Sequence, residues 1–391
     1  MKHPLILYFS SEIFLSTGIG IVQYAQPFFY VSHHATDGMV GTLLAVNAIC
    51  GGLAALLLGP AADRIGASKV WKLSSALLGL GYLLTSLTHT TPLWMLTSAL
   101  VGLAAALLMS TENVVLSSLS QEREKAGILS KFVAMYMFVI GAGNVLSGWM
   151  CAAWGYQSAL AAGAVVALCA MPLRWFVKAP DAIAPTAFRA PSRRILAMSG
   201  YACLFGMGSA LLNQFATLIL HNQFSLGTHA TSLVSAAATF MVSLGSLMVS
   251  MLIRRFRRNT TLALSYLSFI GLTAGLVFTR TPGLFSGLYL ARTVTTSIPG
   301  PIVDATFLDL TPSTDFSQMF GVRVFGTNVG TAAGSYAGGG LLGHHQVAMI
   351  SLLSAVTFAV AGAYLFVLLR QLSRRAEQEA LAGALDLPTS G

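Results

Sequence analysis

The sequence predicts an all-α membrane protein, twelve transmembrane helices arranged as two pseudo-symmetric six-helix bundles. Composition is the first observation: 55% of the 391 residues are hydrophobic and 9% are charged. The mean hydropathy is +0.73, whereas soluble domains carry roughly 25% charged residues. Second, twelve apolar runs reach the length of about 20 residues that a helix needs to cross a bilayer. Third, the halves repeat at a constant offset of 191 residues, which sets Gln23 opposite Gln214, Gly143 opposite Gly334, and Asp63-Arg64 opposite Arg254-Arg255. An offset that holds through loop, helix and glycine patterns indicates duplication of a six-helix unit, with both copies entering the membrane in the same sense.

Taken in order, the spans run over 5–31, 38–58, 70–88, 92–118, 126–153 and 157–177, then 195–221, 228–253, 260–279, 283–308, 317–342 and 346–370. The first begins directly after Met1–Pro4 and is followed by polar loop rather than a small-residue cleavage site, so it is expected to be retained. Lys and Arg orient the set. Lys2, Arg64, Lys69, Lys72, Arg123, Lys125, Arg174, Lys178, Arg189, Arg193 and Arg194 fall on one side, with Arg254, Arg255, Arg257, Arg258, Arg370, Arg374 and Arg375, while the other side has Arg280. The positive-inside rule then makes both termini cytoplasmic, in an inner membrane. The organisation is a first bundle over 1–178, a linker over 179–194 with Pro180, Pro185 and Pro191, a second bundle over 195–370, and a cytoplasmic tail over 371–391 that begins helical. The formal charge of +9 is therefore topological and implies no nucleic acid partner. Cys50, Cys151, Cys169 and Cys203 lie in apolar runs without metal or disulfide spacing and read as small core residues. Seven of the eight histidines sit at the outer ends, and with Asp37 as their sole acidic companion they read as interface residues rather than metal ligands. Tyr24, Phe28, Phe29 and Tyr30, near the outer end of the first span, read as an interfacial aromatic belt.

The loop after the second span reads Gly59-Pro60-Ala61-Ala62-Asp63-Arg64-Ile65-Gly66-Ala67-Ser68-Lys69. It resembles the signature loop of the major facilitator superfamily, in which Gly, Asp-Arg and Gly followed by bases stand at this junction. That resemblance extends over the chain through span count, repeat and short connector. It implies a transporter that opens to each side in turn by rocking one half against the other, with a cavity lined by spans one, four, seven and ten. In physical terms Gly66 permits a tight turn, and Asp63 is an anion placed to meet a helix N-terminus or a base across the interface. Gly59, Asp63, Arg64, Gly66 and Lys69 are the conformational motif. The second copy, Arg254-Arg255-Phe256-Arg257-Arg258, has neither acid nor glycine and is left with orientation and lipid phosphate contact. Two family patterns are missing: no arginine stands in Ser98-Ala99-Leu100-Val101-Gly102 of span four, and no proline accompanies Gly141-Ala142-Gly143-Asn144 of span five.

Ionisable groups inside spans are expensive and mark candidate sites. Arg292 lies nine residues into span ten, roughly 13 Å at helical rise, near the midplane. It is read as a bidentate clamp for an anionic group or, alternatively, as half of a structural ion pair. Glu112 and Asp304 sit at nearly matching repeat positions towards the cytoplasmic mouth, with Arg323 and Lys131 at similar depth. Together with Glu12 on span one they are read as proton carriers or as gate salt bridges. Gln23 and Gln214, with Asn213 beside the latter, suit opposite walls of one cavity, or else glue between helices, and Asn47 and Asn328 are weaker candidates. The substrate-binding set is accordingly Gln23, Asn47, Asn213, Gln214 and Arg292, and the coupling or gate set is Glu12, Glu112, Asp304 and Arg323.

The leading expectation is a secondary transporter that exports a small organic molecule in exchange for protons, acting as a monomer among lipids. The alternatives are proton-coupled uptake of an organic anion and a sensor that binds without translocating. No His-Glu-x-x-His, Gly-x-Ser-x-Gly or phosphate-binding Gly-x-x-x-x-Gly-Lys pattern occurs, so neither an enzyme nor an ATP-driven pump is expected, and no cofactor or metal.

Overall fold

A computed structural model describes residues 2–120, 125–179, 190–311 and 316–385. Of 59–64 it describes the backbone alone, so the side chains of Gly59, Asp63 and Arg64 lie outside the described residues, as does most of the connector. Every span is helical because lipid offers no hydrogen bonds to an open backbone. Span one is Lys2–Ser32, span two Asp37–Ile65, span three Ala67–Leu87 and span four Thr91–Ser118. Lys125–Leu168 holds span five and most of span six, folded at Gly155, and span six ends in Ala170–Phe176. In the second half, span seven is Arg193–Asn213 plus Ala216–Asn222, span eight Thr228–Arg255, and span nine Arg258–Gly275 with the turn Leu276–Phe278. Span ten is Pro282–Ser297 plus Pro299–Asp309, span eleven Phe316–Gly343 and span twelve Val347–Leu385.

By length and composition, nine helical stretches among the described residues are able to cross a membrane. One of them, Lys131–Phe176, is the pair folded at Gly155. The interrupted span ten and span eleven complete the twelve. Counterparts begin at Lys2 and Arg193, Asp37 and Thr228, Ala67 and Arg258, Thr91 and Pro282, Lys125 and Phe316, so the repeat offset holds element by element. Gly66 and Gly155 take φ of +108° and +81°, a region that residues with a Cβ avoid, and each turns the chain between consecutive spans.

Two expectations of continuous helix are corrected. Span ten breaks at Ile298 because Pro299 and Pro301 cannot donate backbone hydrogen bonds. Span seven breaks at Gln214-Phe215, where Phe215 leaves helical geometry at φ −116°, ψ −1°, with no proline present. Neither counterpart in the first half, span one or span four, is broken.

The halves meet through spans two and eleven and through spans five and eight, and spans one and seven touch through the short outer segment of span seven. At the end opposite the termini the seal is tight. A Cβ at Gly41 would stand 2.5 Å from the Ser335 carbonyl oxygen and 2.8 Å from the Gly339 Cα, so hydrogen at Gly41 is what lets the backbones touch. One apolar core runs through both halves here, joining Tyr24, Phe28 and Phe29 to Leu211, Phe215, Leu220 and Leu342. A second cluster, around Ile195, Phe269, Phe307 and Leu365, belongs to the second half, and Leu56 is the residue of the first half packed against it.

The aromatic belt expected on span one is therefore overturned. Tyr24, Phe28, Phe29 and Tyr30 are at most 3% exposed, Tyr24 Oη donates to the Thr228 carbonyl of the other half at 2.7 Å, and Phe28 meets His221 edge-on. All four are buried rather than facing lipid, Tyr24 and Phe28 against the second half and Phe29 and Tyr30 against Trp94 of the first. Cys151 is buried as expected, but Cys169 is exposed and Cys50 and Cys203 are half-buried.

Candidate functional site

Helical spacing of four residues puts Glu12 and Ser16 on one face of span one. Ser16 Oγ donates to Glu12 Oε1 at 2.6 Å. The other oxygen, Oε2, receives Arg174 Nη2 at 2.5 Å. Arg174 Nη1 donates to Ser75 Oγ on span three, and its guanidinium lies 4.3 Å over the Trp71 ring. Trp71 stacks in turn on Tyr8 at 5.0 Å, and Tyr8 Oη donates to the Glu112 backbone carbonyl at 3.2 Å. The Glu112 side chain completes the group, with Oε1, which has no hydrogen bond, 3.7 Å from Arg174 Nη2. Arg174 is 1% exposed, the Glu12 side chain 4% and Glu112 15%.

This cluster corrects the reading of Arg174 as an orienting base. It stands two residues before the end of span six at Phe176, and its long stem carries the guanidinium back into the bundle instead of out to the headgroups. Two carboxylates around one guanidinium leave one formal negative charge, which a single proton cancels. Nothing in spacing announced the triad, because its members come from spans one, four and six. The available signal was only that Glu12 and Glu112 needed a base, and position along the chain did not choose Arg174 over Lys131.

Arg292 has different surroundings. It is fully buried, with Nε donating to Thr273 Oγ1 at 2.9 Å and Nη1 to Asn213 Oδ1 at 2.6 Å. Its guanidinium carbon is 5.4 Å from the Phe358 ring. Nη2 is buried without a partner. The ion-pair alternative is not what this site holds, since its partners are a neutral hydroxyl and a neutral amide. Asn213 is the last residue of the first segment of span seven, whose carbonyl end favours a cation. Its Oδ1 is taken by Arg292, so its Nδ2 is the group presented outward, and it donates to Ser209 Oγ at 2.9 Å. Gln214 follows in the break, half-buried.

Asp304 and Arg323 pair with one another on spans ten and eleven, within the second half. Glu112 and Asp304, one residue from matching in the repeat, therefore serve separate clusters, and the Asp304 pair does not bridge the two halves. Gln23 is exposed on the same face of span one as Glu12 and Ser16. Asn47 is half-buried, with its backbone carbonyl pressed against Gly102 of span four. Asn328 donates to its own helix at Val324, 2.9 Å away, and faces Gly51 of span two. Lys69 and Lys131 are exposed. His33 stacks on His89 at 5.1 Å, and His229 meets Trp149 edge-on. Among the described residues no three His, Cys, Asp or Glu side chains converge on a common point. An outer crevice lined by Gly38, Thr42, Tyr336, Ala337, Gly340, Leu341 and Leu353 contains none of these charges.

The family model of the Major Facilitator Superfamily matches residues 8–291 and again residues 198–387. The structure is similar to that of the nucleoside transporter NupG, with a TM-score of 0.73 at 13% identity over 94% of this chain and 99% of that one. A mutant of the same transporter gives 0.76 at 14% identity, covering 93% and 99%. It is also similar to a bacterial homologue of the human lysosomal transporter Spinster in an inward-facing, unoccupied conformation, with a TM-score of 0.72 at 10% identity over 95% and 98% of the two chains. No curated protein matches the chain in sequence.

Proposed function

This chain belongs to the major facilitator superfamily, and from that premise we propose that it moves a small organic molecule across the inner membrane by alternating access, coupled to protons and in the direction of export. The observation that carries the coupling is the buried Glu12–Arg174–Glu112 cluster. With both acids charged, one negative charge is left inside the first bundle. Taking up a proton at Glu112 leaves a neutral acid beside a balanced Arg174–Glu12 pair. Neutral contents cross a low-dielectric bundle at lower cost than charged ones, so occupancy by a proton biases which arrangement of the halves is favoured. Of the two acids Glu112 is the less buried, at 15% exposed against 4% for Glu12, and is therefore the one assigned the proton.

The basic asymmetry of the loops supports cytoplasmic termini, and with that orientation the close packing at Gly41, Ser335 and Gly339 supports reading this arrangement as closed to the outside. The amides Gln23, Asn213 and Gln214 supply the neutral hydrogen-bonding groups that an organic solute needs. Nucleosides, the substrates of the similar transporter NupG, are the first solutes to try.

Proteoliposomes holding the purified protein provide the test. Labelled uridine and a set of metabolites and drugs are assayed for movement with and without an imposed pH gradient, and then for counterflow without one. The reading expects a solute whose movement follows the gradient in the parent protein. In Glu112→Gln the response to the gradient is lost while counterflow remains. Gradient-driven movement that is unchanged in Glu112→Gln contradicts the coupling, and saturable binding without any flux contradicts transport itself.

A further inference from the structure

We infer that the transported solute carries an anionic group, seated at the break in span seven against the Asn213 amide, with Arg292 behind it as both counter-charge and positioning residue. The inference rests on the transport reading above and names its substrate class.

Arg292 is a fully buried cation whose two hydrogen-bonded partners, Thr273 and Asn213, are both neutral. The carbonyl end of the helix segment that closes at Asn213, two of whose carbonyls accept from Gln214 and Phe215, supplies at most about half an elementary charge, and the Phe358 face adds a weak attraction. Neither balances the charge, and Nη2 is left without an acceptor. An isolated buried charge is unfavourable unless something pairs with it. The first bundle meets that requirement for Arg174 with two carboxylates from its own helices. In the second bundle the missing negative charge has to arrive with a ligand.

The amide fixes what that ligand presents. Because Asn213 Oδ1 accepts from Arg292, the exposed side of Asn213 offers its N–H group, flanked by the Ser209 hydroxyl. A site that shows donors with a cation behind them selects an oxygen acceptor, and a carboxylate or phosphate oxygen over a neutral hydroxyl. The span break supplies the irregular backbone around which solute sites form in such bundles. Asn213 touches the solute, and Arg292 acts through it.

The test uses the full-length protein in detergent micelles and follows its thermal midpoint with matched solutes: uridine monophosphate and uridine, gluconate and sorbitol, benzoate and benzyl alcohol. At least one anion is expected to raise the midpoint while its neutral mate does not, and Arg292→Gln is expected to weaken that anion roughly tenfold to a hundredfold. Asn213→Asp gives Arg292 a carboxylate of its own. This variant should keep or raise the ligand-free midpoint and lose the response to anions. No response to any anion, equal responses to neutral mates, or an unchanged anion response in Asn213→Asp overturns the inference. Counterflow then separates the two readings. An anion that binds without counterflow sinks transport and spares the anion site, whereas counterflow of a neutral solute that Arg292→Gln leaves intact does the opposite.

Discussion

Arg174 and Arg292 are both buried almost completely, yet one is surrounded by acids and the other by neutral groups. For Arg174 the surroundings set a stability prediction. Arg174→Met leaves Glu12 and Glu112 facing each other without their shared cation and destabilises the fold by roughly 3–5 kcal/mol. Adding Glu12→Gln to that variant recovers part of the loss, because one of the stranded charges is gone. Thermal unfolding of parent, single and double variants in detergent checks this, and a double variant no more stable than the single one contradicts the shared-cation account. The acids and Arg292 were legible in the sequence because an ionisable residue inside an apolar run has few bland explanations. Arg174 was not, since a base two residues from the end of a span looks the same whether its side chain turns towards lipid headgroups or into the bundle. The lack of an acid near Arg292 was equally hidden, because pairing depends on which helices touch.

Helix boundaries were far easier to read than helix continuity. Hydropathy and the repeat located most span ends to within a few residues, but the helix of span two runs on to Ile65, so 59–65 is helix where a loop was expected. The break at Pro299 had a visible breaker, and the one at Gln214-Phe215 had none, so the feature that brings Asn213 to Arg292 came only with the structure. Facing direction was also ambiguous for the outer aromatics of span one, because an apolar face fits lipid and a partner bundle equally well. Close packing of spans two and eleven leads to a prediction about the outer seal. In Gly41→Leu the added side chain meets the Ser335 carbonyl and the Gly339 backbone, and the seal loosens. On a background lacking the native cysteines, a membrane-impermeant maleimide added from the outer side should modify a cysteine placed at Thr228 faster in Gly41→Leu than in the parent. Equal rates would place the seal elsewhere.

The two halves share a fold but have divided their chemistry. The first bundle holds an excess acid beside Arg174, and the second holds an excess base at Arg292, with the Asp304–Arg323 pair neutral by itself. Duplication explains the common architecture, and the loss of matching charges between copies explains why Glu112 and Asp304 ended in different roles. At the outer end the halves touch through glycines, serines and aromatic faces, with Asp37 of the first half within electrostatic reach of His345 of the second. The account as a whole therefore stands on the two halves moving as rigid bodies against one another. Double electron–electron resonance on the protein in lipid measures this directly, with one spin-label pair at the outer end, Thr36 and Gln223, and another at the basic end, Lys69 and Arg257. Between the parent and Gly41→Leu, and as pH is varied, the outer distance should lengthen while the basic-end distance shortens. Distances that stay fixed, or that rise and fall together, would contradict it.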